Sequence, residues 1–225
     1  MRHRFRLRRI LPVVMTALLT VSLPGCSGGS WESDMAAARQ ASAQKNLDEA
    51  ARLYSAAVLK AERFGEADPR LALSLNQLAH VYSSQGKYVD AEALFVRALA
   101  IYQKAHGDTH PSVAATLNNL GVLHRMHGQY AEAEPLLERA LTIKETVFGH
   151  EHEEVALGLS NLGMLFYMQG KYELAEPLYK RALAIREKVL PARHPDVRKS
   201  LKDYAALLQR THREDEAAML DARGR

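Results

Sequence analysis

The run Leu75-Asn76-Gln77-Leu78-Ala79 returns as Leu117-Asn118-Asn119-Leu120-Gly121, as Leu159-Ser160-Asn161-Leu162-Gly163 and, worn, as Leu201-Lys202-Asp203-Tyr204-Ala205, each 42 residues after the last. A chain that repeats itself at this period builds a stack of like units, each touching its neighbours, instead of one closed core. Laying residues 110–151 over 152–193 gives 21 identities in 42 positions without a gap. They fall at helix-packing intervals, so they report architecture and not a catalytic centre.

Every repeat splits into two helical patterns around a turn: Gly86-Lys87-Tyr88, Gly128-Gln129-Tyr130 and Gly170-Lys171-Tyr172, with His212-Arg213-Glu214 in the last copy. In the third unit Leu117, Leu120, Gly121 and His124 lie at i, i+3, i+4 and i+7, one face of a first helix, and Ala133, Leu137 and Ala140 do the same on the second. Small residues recur in register, Ala79, Gly121 and Gly163 on first helices and Ala91, Ala133 and Ala175, then Ala98, Ala140 and Ala182, on second ones. Such positions let helices approach closely. Repeats join at Asp68-Pro69, His110-Pro111, His152-Glu153 and His194-Pro195, where proline suits the first turn of a helix because its missing N–H has no partner there. Pro135 and Pro177 sit early in second helices, and no function is read into them.

The formal charge of +4 invites a nucleic-acid reading. Five of the 30 basic residues, Arg2, Arg4, Arg6, Arg8 and Arg9, lie at the extreme N-terminus; without them 25 remain against 26 acidic residues. The basic balance therefore belongs to the leader, and polyanion binding loses its support. The Arg-rich start, an apolar run over residues 10–23 and a Pro-Gly-Cys close have the layout of a secretory signal. Fourteen residues are short of the roughly 20 that a helix needs to cross a bilayer, so cleavage is the expectation.

Leu23, Gly25 and Cys26 resemble the lipobox of bacterial lipoproteins, with Pro24 departing from the usual small residue. The resemblance implies a signal peptide over 1–25, acylation of Cys26 and a chain facing the periplasm on a membrane, the outer one favoured by Ser27. Cys26 is the only cysteine, so no intramolecular disulfide can form. An incidental cysteine beyond an ordinary cleavage site stays open as the alternative. Residues 26–32 read as a tether.

The 42-residue period, Leu-Asn-Asn-Leu-Gly at 117, Ala-Glu-Pro-Leu at 133, Arg-Ala-Leu at 139 and the His-Pro joints resemble tetratricopeptide-repeat proteins of the kinesin-light-chain type. The resemblance implies an all-α, right-handed superhelical solenoid over residues 33–222: a degenerate first unit at 33–66, repeats at 69–108, 111–150 and 153–192, and a partial one at 195–222. It also implies that the free ridge of each first helix lines a concave groove holding a protein or peptide. By register that groove takes Asn76 and His80, then Asn118, Asn119 and Arg125, then Asn161, Met164 and Tyr167, and finally Lys199 and Lys202. Asparagine amides donate and accept, so they suit a partner's main chain; Met164 and Tyr167 suit apolar side chains, and the two lysines an acidic end. Helices about 8 to 10 Å apart make a groove on the order of 40 Å, enough for roughly ten extended residues. The plainer reading, solvated helix residues, stays open for each. A carboxylate clamp is not favoured, because only Asn161 and Lys199 match it while Asn118, Val122 and Asp203 fill the other places.

Ten histidines raise a metal reading, above all at His150-Glu151-His152-Glu153-Glu154, yet His110, His152 and His194 recur one per joint. Zinc wants three or four converging ligands, and no cysteine remains in the repeats. His124 stands where Tyr82 and Phe166 stand in neighbouring repeats and reads as a packed imidazole. No phosphate loop, Gly-x-Ser-x-Gly or His-Glu-x-x-His occurs within the repeats. A non-catalytic, membrane-anchored adaptor without cofactor is expected, with a secretion, pilus or envelope-assembly accessory lipoprotein as the alternative. The oligomeric state is open.

Overall fold

The computed structural model describes residues 29–224; the leader and Cys26 lie outside the described residues. Ten α-helices pair into five antiparallel hairpins: α1 (Trp31–Ala43) with α2 (Leu47–Ala61), α3 (Pro69–Ser84) with α4 (Tyr88–His106), α5 (Pro111–Met126) with α6 (Tyr130–Phe148), α7 (Glu153–Met168) with α8 (Tyr172–Val189), and α9 (Pro195–Arg210) with α10 (Glu214–Arg223). No strand occurs among the described residues. Each helix packs on the next in sequence, so the hairpins pile into an all-α solenoid. The chain becomes helical at Trp31, inside the span read as a tether, because the Ser30 side chain caps α1 by accepting from Ser33 N at 3.3 Å.

The turn inside each hairpin repeats one backbone device. Lys87 N donates to Tyr82 O, Gln129 N to His124 O and Lys171 N to Phe166 O, each at 2.9 Å, the six-to-one bond that closes a helix C-terminus. The preceding residue must be left-handed, and Gly86, Gly128 and Gly170 have φ of 77°, 79° and 74°. The outer hairpins make the same turn without glycine, with Lys45 at φ 59° and His212 at φ 58°. Loss of the glycine therefore did not lose the turn.

The joints between hairpins explain the histidines. Nδ1 of His110, His152 and His194 accepts from the backbone N of Ser112, Glu154 and Asp196 at 3.2, 3.1 and 3.3 Å. Each imidazole is the N-cap of α5, α7 or α9, a post that Asp68 holds for α3 by accepting from Arg70 N at 2.8 Å. An accepting Nδ1 leaves the ring proton on Nε2.

Inside the hairpins, small residues of the first helix receive large ones of the second. A Cβ on Gly121 would sit 2.7 Å from Leu137 Cγ, and one on Gly163 would sit 3.0 Å from Tyr179 Cε1. Phe95, Leu137 and Tyr179, spaced by 42 residues, are fully buried, as is Tyr54 in the first unit. His124 is buried as expected, with Nδ1 2.8 Å from Gln129 Oε1.

Candidate binding groove

The odd-numbered helices lie on the inner side of the curve. Beyond their hairpin contacts, α3 touches α5, α5 touches α7 and α7 touches α9, while no even-numbered helix makes a comparable contact with the next even one. A stack whose first helices approach more closely than its second helices bends toward the first. The ridges of α3, α5, α7 and α9 therefore face the concave surface.

The asparagines do not all reach it. Asn76 is 9% exposed and Asn118 7% exposed, and both are spent between repeats. Asn76 Nδ2 donates to Thr116 Oγ1 at 3.0 Å, Asn119 Nδ2 donates to Asn76 Oδ1 at 3.1 Å, and Asn161 Nδ2 donates to Asn118 Oδ1 at 2.8 Å. The offset between bonded asparagines is 43, one more than the repeat, because adjacent first helices meet sideways. This corrects the expectation for Asn76, whose amide nitrogen and oxygen are both taken between helices, and for Asn118, which is buried there with its Oδ1 taken by Asn161. Asn119 and Asn161 stay half-buried at the groove floor with one amide nitrogen already engaged. His80 is exposed beside them and packed edge-on against Phe95 at 5.5 Å; its partial burial lowers its pKa.

Farther along, the groove turns apolar. Met126, Leu157 and Met168 are exposed, and Met164 and Tyr167 half-buried. The Tyr179 hydroxyl donates to Met164 Sδ at 3.7 Å, and Tyr167 tilts against Tyr172 with centroids 5.6 Å apart. Of the two lysines, Lys199 is exposed and pairs with Asp203 at 2.5 Å. Lys202 stands at the register position of Asn118 and Ser160, the one a following repeat would cover. Among the described residues Lys202 is exposed and lies beside Leu220 and Asp221 of α10, on the last hairpin. Its expected place in the groove is corrected accordingly.

Two cations that the sequence reading passed over sit beneath the groove on second helices. Lys144 and Arg186 are 2% and 3% exposed and occupy the register position of Tyr102. Lys144 Nζ meets Glu154 Oε2 at 2.8 Å beside a hollow of about 390 Å³ formed by Pro111, Ser112, Ala115 and Phe148. Arg186 has no carboxylate in contact. Its Nη1 donates to Ser160 Oγ at 3.1 Å and Ser200 Oγ at 2.5 Å, and its buried Nε has no partner. Arg125 resembles it, with Nη1 directed at Met168 Sδ at 3.1 Å and a buried Nε also without a partner. Burial lowers the pKa of both guanidiniums; against it Asp196, Glu153 and Asp203 attract Arg186 from beyond contact, and Asp203, paired with Lys199, attracts Arg125 as well. The signal for Arg186 was legible: a cation stands on the buried stripe Ala175, Tyr179, Ala182 of α8.

Among the described residues no three His, Cys, Asp or Glu side chains converge as metal ligands, and no helix is long and apolar enough to cross a membrane. The arrangement suits recognition: an apolar trough floored by amides, with under-paired guanidiniums at one end. The tetratricopeptide-repeat family model matches residues 32–104, 70–146, 128–188 and 154–224, nearly the whole described chain. The chain belongs to the tetratricopeptide-repeat family. Among curated proteins none matches it. A kinesin-light-chain-like protein of Podosopora anserina with nearly identical TPR-like repeats is similar at 26% identity, TM-score 0.72, over 86% of this chain and 92% of that one. BtubC (BKLC) from P. vanneervenii shares the fold at 24% identity, TM-score 0.76, over 86% of this chain and 77% of that one. A Rap protein complexed with competence and sporulation factor shares it at 20% identity, TM-score 0.74, over 86% of this chain and 52% of that one. This tetratricopeptide-repeat protein is accordingly a scaffold of the kind that serves protein or peptide interaction.

Proposed function

We propose that this protein is an adaptor that holds an extended partner segment along α3, α5, α7 and α9 and takes an acidic side chain of that segment at Arg186 and Arg125. The observation that carries the reading is the under-paired guanidinium of Arg186, 3% exposed and bonded only to two serine hydroxyls. A buried charge with no carboxylate in contact costs stability, and an incoming acidic side chain would offset that cost. Met126, Leu157 and Met168 give the same segment an apolar trough, and flexible thioethers adapt to varied side chains. The Rap protein of the same fold was solved with competence and sporulation factor, which agrees with a bound factor here.

Arg186→Met separates this role from a structural one. Replacing an unpaired buried cation by an apolar side chain of similar length leaves stability equal or higher. Partner capture, read by crosslinking in intact cells from a photoreactive residue at Met168 and mass spectrometry, falls away. A folded Arg186→Met chain that crosslinks as wild type rejects the acidic contact.

The adaptor is read as tethered through an acylated Cys26, facing the periplasm of a bacterial envelope. Support comes from the lipobox-like Leu23, Gly25 and Cys26 after an Arg-rich apolar leader. Metabolic labelling with a fatty acid, abolished in Cys26→Ala, is the expected result; labelling that survives the substitution excludes the anchor.

A further inference from the structure

The first hairpin carries a groove on the outside of the stack that the concave surface does not explain. It has a volume of about 840 Å³ and lies between the start of α1, the outer face of α2, the 3-10 turn Glu62–Phe64 and the start of α3. By comparison, the hollow beside His80 measures about 350 Å³. Its apolar wall is Trp31, Leu53, Ala56, Leu59 and Phe64, with Leu59 66% and Phe64 43% exposed. Gly29 and Ser30 line its edge, so the N-terminal segment joins the solenoid at this groove.

Most of the charges around it are paired off, and Arg63 is the cation left over. Four cations, Arg52, Lys60, Arg63 and Arg70, line it against two carboxylates, Glu32 and Asp34. Arg52 is paired with Glu49, Lys60 with Asp34 and Arg70 with Asp68, which leaves Arg63 and Glu32 without an ion-pair partner among the described residues. Lys60 also donates to the Gly29 carbonyl, which fixes the chain where it leaves the groove. A large exposed leucine and phenylalanine beside a spare arginine suit a surface with anionic headgroups above hydrocarbon.

The geometry points to this groove as a membrane-docking surface for anionic phospholipid, an inference that rests on the anchor at Cys26. Cys26 precedes Gly29 by three residues, a reach of roughly 10 Å at about 3.3 Å each, so an acylated Cys26 brings the bilayer to the groove. A single lipid-chain attachment leaves a protein free to swing; a second contact fixes its orientation. The solenoid then stands on its N-terminal end and holds its concave surface at a set angle to the membrane.

Trp31 is the only tryptophan, so its emission reports this end of the molecule alone. The experiment uses the full chain with vesicles of phosphatidylcholine and phosphatidylglycerol whose acyl chains are brominated, and phosphatidylcholine vesicles as the control. Flotation reads the anchor; quenching of Trp31 reads the docking. The expected result is flotation with both, strong quenching only on the anionic vesicles, and loss of that quenching in Leu59→Glu/Arg63→Glu while flotation persists. Both substitutions are at exposed positions, so the fold survives them, as circular dichroism verifies. A chain that floats with Trp31 unquenched overturns the docking and leaves the anchor standing, as does quenching undiminished in the double variant. A chain that does not float overturns the anchor and the docking together. Trp31 emission that shifts with protein concentration in the absence of lipid assigns the groove to a second copy instead, and overturns the lipid assignment.

Discussion

A histidine at a helix start is a modest cap, yet His110, His152 and His194 hold that post three times over. The accepting atom is Nδ1, so a side chain that accepts at the same point can replace it and one that cannot will not. His152→Ala should lower stability by about 1 kcal/mol and His152→Asn should restore most of it, measured by urea denaturation. Equal loss in both would remove the capping account. The left-handed residues make a complementary case. His212 carries a β-carbon at φ 58° where the inner repeats use glycine, and a left-handed L-residue costs roughly 1–2 kcal/mol. His212→Gly should therefore raise the midpoint for the last hairpin, offset in part by the freedom glycine has when unfolded. The glycine turns were plain in the sequence; that Lys45 and His212 make the same turn was not, because backbone hydrogen bonding enforces it without a residue signature.

Within a hairpin, fit is set by one small residue against one large one. Gly121 faces Leu137, and the added methyl of Gly121→Ala would fall well inside contact distance of Leu137 Cγ. Its cost should be about 1–3 kcal/mol, larger than for Gly163→Ala, where Tyr179 stands slightly farther off, and thermal unfolding of both variants ranks them. The reverse order would mean that the helices shift freely to make room. This pairing was readable from the 42-residue register, since small and large positions recur together. The asparagine rivets were not. Asn118 and Asn119 are chain neighbours, but successive residues on a helix point about 100° apart, so one turns toward the next repeat and the other toward the groove. Which is which depends on how two first helices lie side by side, and the repeat period is silent on that.

Stability in the whole stack is a sum of neighbour contacts, so the last described hairpin depends on the bonds that fasten it to α8. Glu176 of α8 is the fastening: Oε1 accepts from Tyr204 Oη at 3.0 Å, from Arg213 Nη1 at 2.8 Å and from Lys180 Nζ at 2.8 Å. Burial alone would raise its pKa, but these three donors outweigh it and bring the carboxyl from 4.5 down to about 2. A depressed carboxyl stabilises the fold fully above its unfolded value, and the contribution drains away as pH falls from about 4.5 toward about 2. Hydrogen exchange of α9 and α10 should rise through that window and be raised already at neutral pH in Glu176→Gln. Exchange in the variant that matches wild type at neutral pH would show that the last hairpin is held by its apolar contacts alone.

The sequence by itself determined the helices, the turns between them, the order of the hairpins and the small-on-large register of their cores. All of these follow from spacings within a helix or from the fixed repeat, which are written along the chain. Only the tertiary structure decided which polar residues of the inner ridge face a partner and which are consumed between repeats. It also revealed Arg186 and Arg125 without carboxylate contacts and set Lys202 beside α10. Those outcomes depend on the lateral approach and curvature of stacked helices, a property of neighbouring units that no single repeat contains.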